Sequence, residues 1–249
     1  MRRRLPVFHL SRLFPNMVTI AGLCCGLSAM RFAIDSKFEI AVTLLVASAI
    51  IDGMDGRIAR FLNSTSIFGA HLDSLSDFVC FGVSPAFVLY LWKLDTVKGL
   101  GWAVVLFFVV CCALRLARFN TNLSNEKIEQ WQKKFFVGVP SPAGAMLVLM
   151  PLVASFYVSA QYFENSVLCI TWTVFVAMLM ASRVPTFAVK KLVIHHDLVL
   201  PIMIVCGFII ILIIIEPWVM LNVAGVLYFL SIPFSVLYYR RLAHAARQK

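Results

Sequence analysis

Long apolar runs separated by short polar stretches make up most of the chain. A helix needs about 20 residues to cross the hydrocarbon core of a bilayer, and most of the runs approach that length. The pattern predicts about eight transmembrane helices, over residues 17–32, 38–61, 68–91, 100–119, 141–159, 166–182, 198–215 and 218–239. We therefore expect an all-α, polytopic membrane helix bundle.

The predicted spans leave no polar segment long enough to fold alone, so residues 1–249 are expected to form a single integral-membrane domain. Within it, residues 17–239 form the helix bundle and residues 240–249 a basic tail. Residues 1–16 combine four arginines with leucine and phenylalanine, which is typical of a segment that lies on an anionic membrane surface.

The composition supports this class, since 61% of the residues are hydrophobic and only 14% are charged. The net charge of +10 would suggest a nucleic-acid partner in a soluble protein, but here the basic residues mark topology, and no nucleic acid is expected. Of the 22 Lys and Arg residues, all but Arg31, Lys37, Lys93 and Lys98 lie at the termini or at every second connection between predicted helices, that is, on one side of the membrane. The positive-inside rule then places both termini in the cytoplasm. The seven cysteines form no CxxC motif and are expected to be apolar packing residues.

Four aspartates interrupt the apolar pattern. Asp52 and Asp55 lie in the second predicted helix, and Asp73 and Asp77 lie in the third. Residues three or four apart share a helix face, and the short polar linker 62–67 predicts antiparallel packing that turns both pairs toward each other. Each carboxylate costs about 2.5 kcal/mol or more at a membrane helix centre, and four together repel. The arrangement therefore predicts divalent cations between them.

The chemistry of these side chains limits what they can bind. Ligands that are all oxygen select hard cations such as Mg²⁺, Mn²⁺ or Ca²⁺. Four carboxylates can hold two such ions about 4 Å apart, as suits in-line phosphoryl displacement. The small residues Gly56, Ala59 and Gly69 allow a bulky polar ligand to approach the backbone, and Arg60 offers positive charge to a phosphate. The active site should open to the cytoplasm, on the side where the basic connections lie.

The spacing Asp52-x2-Asp55-Gly56-x2-Ala59-Arg60-x8-Gly69-x3-Asp73-x3-Asp77 resembles the signature of the CDP-alcohol phosphotransferases, with all eight positions filled. The resemblance implies that the four aspartates bind two divalent cations, Mg²⁺ or Mn²⁺. It also implies that CDP-diacylglycerol binds near the signature residues Gly56, Ala59, Arg60 and Gly69, and that Asp77 is the general base. The same resemblance leads us to expect that the protein is a homodimer and that membrane lipids surround it.

Two further polar groups have a structural and a functional interpretation. Asn16 and Thr19 at the start of the first span either cap that helix or line the polar site that receives CDP-diacylglycerol. Arg115 and Arg118 are either snorkelling cations at a membrane boundary or a pair that holds an anion. That anion would be a lipid phosphate or an acceptor carboxylate, with Asn120 and Ser141 as further candidate contacts.

Four short stretches resemble the phosphatidylserine synthase branch of the family: PNMVT (15–19), LRLARFN (114–120), FVGVPSPA (136–143) and SRVPTF (182–187). This resemblance implies transfer of a phosphatidyl group from CDP-diacylglycerol to L-serine in a bacterial inner membrane, giving phosphatidylserine and CMP. One alternative is the same chemistry with glycerol phosphate, inositol phosphate or choline as the acceptor. The alternative from another class is an ion-coupled transporter, because membrane acids also mark ion pathways.

Overall fold

A computed structural model describes residues 13–61, 66–123, 135–158, 165–187 and 199–247. These residues form helices joined by short connections and one two-stranded ribbon, so the predicted all-α membrane bundle is confirmed. The elements in chain order are α1 (Leu13–Ile34), α2 (Phe38–Phe61), α3 (Ile67–Asp77), a π-helix (Phe78–Val83), α4 (Ser84–Trp92), a 3-10 turn (Leu94–Val97), α5 (Gly99–Leu123), β1 (Phe135–Val137), α6 (Ser141–Ala154), α7 (Ser166–Ala181), β2 (Pro185–Phe187), α8 (Val199–Ile215) and α9 (Pro217–Arg247).

Four of the described helices are long and apolar enough to cross a membrane: Phe14–Ile34, Ile67–Trp92, Gly99–Thr121 and Pro217–Leu242. The apolar helices α6, α7 and α8 are shorter. The second half of α2 carries Asp52, Asp55 and Arg57, which lower its hydropathy. The protein is an integral membrane protein with a helical bundle fold.

The helix ends differ from the predicted span ends. α1 begins at Leu13 rather than at residue 17, and α9 continues to Arg247, so most of the predicted basic tail is helical. Hydropathy marks where a chain leaves the membrane, and a helix can continue past that point. The Arg, Leu and Ala residues after residue 239 favour helix, and Pro15 is tolerated because it lies in the first turn of α1, where an N–H has no helical partner. α6 is shorter than predicted and ends at Ala154, followed by turns. Residues 1–12 of the predicted interfacial segment lie outside the described residues.

A π-helix follows the last aspartate directly. The backbone N–H of Ser84 donates to the carbonyl of Val79 five residues earlier, one residue further than in an α-helix. Pro85 comes next and has no N–H for the carbonyl four residues before it, so the regular hydrogen-bond ladder fails at this point. The wider turn joins α3 and α4 into one rod from Ile67 to Trp92.

The chain divides into two compact units, Met1–Trp92 and Lys93–Lys249. In the first unit, α1 packs along α2 and also contacts α3, the π-helix and α4. The sequence predicted direct packing of α2 on α3, but each packs more extensively on α1, because α1 has small residues that allow close approach. A Cβ atom on Gly26 would lie 2.7 Å from the Cys80 sulfur, for example. The expected single domain over residues 1–249 stays a prediction.

In the second unit, α5 packs on α7, and α6 packs on α7 and α9. Strands β1 and β2 pair antiparallel, with Phe135 opposite Phe187. The ribbon is followed by Gly138, whose φ of +80° favours glycine and whose N–H donates to the Val184 carbonyl at 2.8 Å. The Phe135 ring lies 5.2 Å from that of Tyr239, so the ribbon packs against the end of α9.

Candidate active site

Three of the four predicted aspartates meet in the first unit. Asp52 and Asp55 come from α2 and Asp73 from α3, and one carboxylate oxygen of each lies within 4.8 Å of the others. Asp55 is buried, and the other two are half-buried. Within the described residues, none of the three pairs with a lysine or arginine; the ion pair there joins Arg31 to Asp35. Three like charges therefore face one another.

This donor set fits a divalent cation. All the converging atoms are carboxylate oxygens, which is the ligand type that Mg²⁺, Mn²⁺ and Ca²⁺ prefer over the softer metals. A bound cation would also relieve the repulsion among three carboxylates that share a partly buried space. The geometry of these three carboxylates therefore fits a hard divalent cation, and the predicted site of four aspartates and two cations stays a prediction.

Asp77 is placed differently from the other three. It is the last residue of α3, one turn after Asp73, and is half-buried immediately before the π-helix. The group of three converging carboxylates does not include it. Its predicted roles as a fourth metal ligand and as the general base stay predictions.

Helix α1 supplies the neutral side of the site. Thr19 is only 7% exposed, and its Oγ1 lies 2.8 Å from Oδ2 of Asp55 and 3.1 Å from the Pro15 carbonyl oxygen. Its single hydroxyl hydrogen is donated to the carboxylate, the closer and charged acceptor. A small pocket extends behind the acids, lined by Thr19, Gly22, Ser48, Ile51, Asp52, Asp55, Ser76, Cys80 and Phe81. Thr19 thus contacts the acidic cluster, which is one of the two interpretations that the sequence left open.

Asn16 and the signature glycines have distinct surroundings. A Cβ atom on Gly69 would lie 2.9 Å from Oδ1 of Asn16 and 3.1 Å from Oγ of Ser66, so protein atoms occupy the space beside this glycine. Ser66 caps α3 by accepting the Gly69 N–H at 2.9 Å. Among the described residues, nothing lies within 4 Å of the position that a Cβ atom on Gly56 would take. The side chains of Ala59 and Arg60 lie outside the described residues.

The predicted anion-binding residues lie in the second unit, Lys93–Lys249. Arg115 is 7% exposed; its Nη1 donates to Oγ of Ser141, and its guanidinium carbon lies 5.5 Å from the centre of the Phe119 ring. Arg118 donates to the carbonyls of Ala181 and Ser182, at 2.9 and 3.2 Å, where α7 ends. Asn120 is half-buried near the end of α5. Arg115 and Ser141 thus form a buried pair, whereas Arg118 caps α7.

The sequence did not identify Ser48, Ser76 and Cys80 as pocket residues. Ser48 lies one helical turn before Asp52, and Ser76 directly precedes Asp77. All three lie three or four residues from an aspartate, so following the helix faces that carry the aspartates would have found them. Cys80 is buried, as its expected packing role requires, yet its sulfur also donates to the Gly22 carbonyl at 3.5 Å.

The fold and this site define an integral membrane protein whose helices bring carboxylates together. The family model described as CDP-alcohol phosphatidyltransferase matches residues 12–163, and that described as CDP-alcohol phosphatidyltransferase 2 matches residues 197–233.

Three relatives, each named CDP-diacylglycerol--serine O-phosphatidyltransferase, are similar to the chain. The protein from Mycobacterium leprae is 36% identical, over 93% of this chain and 77% of its own. That from Helicobacter pylori strain 26695 is 37% identical, over 72% and 74%. The Bacillus subtilis protein is 33% identical, over 71% and 91%. The chain belongs to the CDP-alcohol phosphatidyltransferase family.

Proposed function

We propose that this enzyme transfers a phosphatidyl group from CDP-diacylglycerol to L-serine, giving phosphatidylserine and CMP. The observation that carries the proposal is the convergence of Asp52, Asp55 and Asp73 at the family's signature spacing. The choice of serine is supported by the relatives that are named for that acceptor.

Each aspartate has a role in this proposal. Asp52, Asp55, Asp73 and Asp77 would hold two divalent cations, Mg²⁺ or Mn²⁺, which would supply positive charge to the diphosphate and to the leaving CMP. The serine hydroxyl oxygen attacks the phosphatidyl phosphorus, and the bond from that phosphorus to the bridging oxygen of the diphosphate breaks. Asp77 takes the hydroxyl proton as general base. A carboxylate is a weak base for an alcohol, so alignment of the reactants must contribute much of the rate.

We assign the binding of CDP-diacylglycerol, the phosphatidyl donor, to the remaining signature residues and the start of α1. Open space beside Gly56 supports approach of the nucleotide to the backbone of α2. Ala59 extends the same small surface along the helix, and Arg60 supplies positive charge toward the diphosphate. Gly69 allows the close approach of α1 that brings Asn16 there, next to Thr19 on the polar side of that helix.

The acceptor is assigned to Arg115, Arg118, Asn120 and Ser141. The buried guanidinium of Arg115 and the hydroxyl of Ser141 are chemically suited to a serine carboxylate or a lipid phosphate. We propose that the enzyme is a multi-pass homodimer in a bacterial inner membrane, surrounded by membrane lipids. Both termini and the active site would lie in the cytoplasm. The distribution of lysine and arginine supports this orientation.

The deciding experiment uses the purified full chain in detergent, with CDP-diacylglycerol, Mn²⁺ or Mg²⁺, and one labelled alcohol at a time. We expect label in lipid and release of CMP with serine, and loss of both on adding EDTA. Label transferred from glycerol phosphate, inositol phosphate or choline instead would replace the acceptor but keep the chemistry. Absence of CMP release with every alcohol would contradict the proposal.

A further inference from the structure

We propose that Thr19 is a positioning residue for the Asp55 carboxylate and links the two acid-bearing helices to α1. This inference rests on the proposed cation-binding function of the aspartates. It adds that part of the cation affinity is set by a residue 36 positions from Asp55 in the sequence, on a different helix.

The hydrogen bond from Thr19 fixes the orientation of a carboxylate that would otherwise rotate. Oγ1 of Thr19 donates to Oδ2 of Asp55 at 2.8 Å, and the two residues are only 7% and 5% exposed. A hydroxyl donor on one carboxylate oxygen restricts rotation about the last side-chain bond and turns the remaining lone pairs in defined directions. Because both groups are shielded from water, water competes little for this hydrogen bond.

A neutral donor suits this position better than a charged one. Asp52 and Asp73 converge with Asp55, so a cation is needed to offset three like charges. A lysine or arginine at position 19 would supply that charge itself and compete with the metal. A hydroxyl orients the carboxylate and leaves its charge intact. Partners of this kind behind metal ligands are typically worth about 10–100-fold in metal affinity.

The backbone of Thr19 contacts the other acid-bearing helix. Oγ of Ser76, between Asp73 and Asp77 on α3, lies 3.5 Å from the Thr19 carbonyl oxygen and is directed toward it as a donor. Ser76 is 6% exposed, so this contact is also shielded from water. One residue of α1 therefore contacts both halves of the aspartate signature, through its side chain to α2 and through its backbone to α3.

The test measures Mn²⁺ binding by electron paramagnetic resonance on the purified full chain in detergent, without nucleotide. Thr19→Val keeps the side-chain shape but removes the donor, and Thr19→Ser keeps the donor. Thr43→Val is the matched control, because the Thr43 hydroxyl is exposed and donates only to the Glu39 carbonyl within α2. We expect about 10–100-fold weaker Mn²⁺ binding for Thr19→Val, and near wild-type binding for Thr19→Ser and Thr43→Val.

The inference is overturned if Thr19→Val binds Mn²⁺ as the wild type does, even if its Michaelis constant for CDP-diacylglycerol rises. That pattern would mean that Thr19 contacts CDP-diacylglycerol directly. A wild-type protein that binds no Mn²⁺ would instead contradict the proposed function itself. In the Asp55→Asn background, Thr19→Val should cause no further loss, and an additive loss would also overturn the inference. If valine prevents folding, Thr19→Ala against Thr19→Ser makes the same comparison.

Discussion

The two units each contain a buried polar group, and the groups differ in the hydrogen-bond partners of their charged side chains. In residues 13–92, Asp52, Asp55 and Asp73 converge with a threonine hydroxyl beside them and no ion pair to a described lysine or arginine. In residues 93–247, the guanidinium groups of Arg115 and Arg118 are hydrogen-bonded to oxygens of their own unit. The arginines thus have neutral acceptors within the protein, while the converging carboxylates would be offset by the cations of the proposed function.

The largest expected effect comes from neutralising one of the converging acids. Asp73→Asn should reduce transfer by about 10³-fold or more, since the amide offers a weaker ligand and removes a charge that the cations need. The same change should leave a folded protein whose melting temperature without metal equals or exceeds that of the wild type, because repulsion falls. Turnover and thermal unfolding with and without Mn²⁺ measure both results.

Asp35→Asn is the matched control for that change, since Asp35 lies in a turn outside the acidic cluster, where it pairs with the exposed Arg31. Its turnover should stay near the wild-type value. Near-normal turnover of Asp73→Asn would remove the distinction drawn between the two polar groups.

The next effect separates the two arginines. If Arg115 binds the serine carboxylate, Arg115→Ala loses a charge-assisted hydrogen bond worth about 1.5–3 kcal/mol, which is roughly 10–150-fold in the serine Michaelis constant. Arg118→Ala should change that constant less and instead destabilise the protein by up to about 2 kcal/mol, because it removes the cation from the end of α7. Steady-state kinetics and thermal unfolding of both variants make the comparison.

A rise confined to the CDP-diacylglycerol Michaelis constant in Arg115→Ala would assign that residue to the lipid. Should Arg118→Ala raise the serine constant as much as Arg115→Ala does, without loss of stability, the capping role of Arg118 would be wrong. Both arginines would then contact the acceptor, which is one of the interpretations that the sequence left open.

The smallest effect tests the packing that supports the acids. Gly26→Ala puts a methyl group 2.7 Å from the Cys80 sulfur and 3.2 Å from its Cα atom, so α1 must move from the π-helix. Overpacking of this kind costs about 1–3 kcal/mol. Gly207→Ala in α8 is the control, because a Cβ atom there meets nothing within 4 Å. Equal melting temperatures for the two variants would contradict a close contact at Gly26.

The acidic cluster could be predicted from the sequence because its residues lie close together along the chain. Asp52 and Asp55 share one helix face and Asp73 lies near the start of the next rod, so spacing alone was enough to place them near each other. Four of the eight predicted spans correspond to described helices that are long and apolar enough to cross a membrane, because lipid exposure requires continuous apolar runs. The ends of α1 and α9 could not be predicted from apolar runs. Pro15 is tolerated in the first turn of α1, and the Arg, Leu and Ala residues after residue 239 favour helix outside the membrane.

The remaining contacts join distant positions, and no pattern along the chain specifies them. Arg118 reaches carbonyls 63 and 64 residues later, and Thr19 reaches Asp55 across 36 residues. The sequence identified both polar residues but left their roles open, because each role depends on which helices pack together. The pairing of β1 with β2 was missed because three-residue strands carry too little alternation to stand out.

The π-helix stores one residue more than an α-helical turn would hold, because its hydrogen bonds reach five residues back instead of four. The widened turn therefore absorbs that residue between Asp73 on α3 and the residues of α4, and the flanking helices continue as one rod. Deleting one residue between Phe78 and Val83 would bring the turn back to the α-helical count. The rod would then keep its course past the acids, and the change would be felt in the packing of the turn itself, where Cys80 contacts α1.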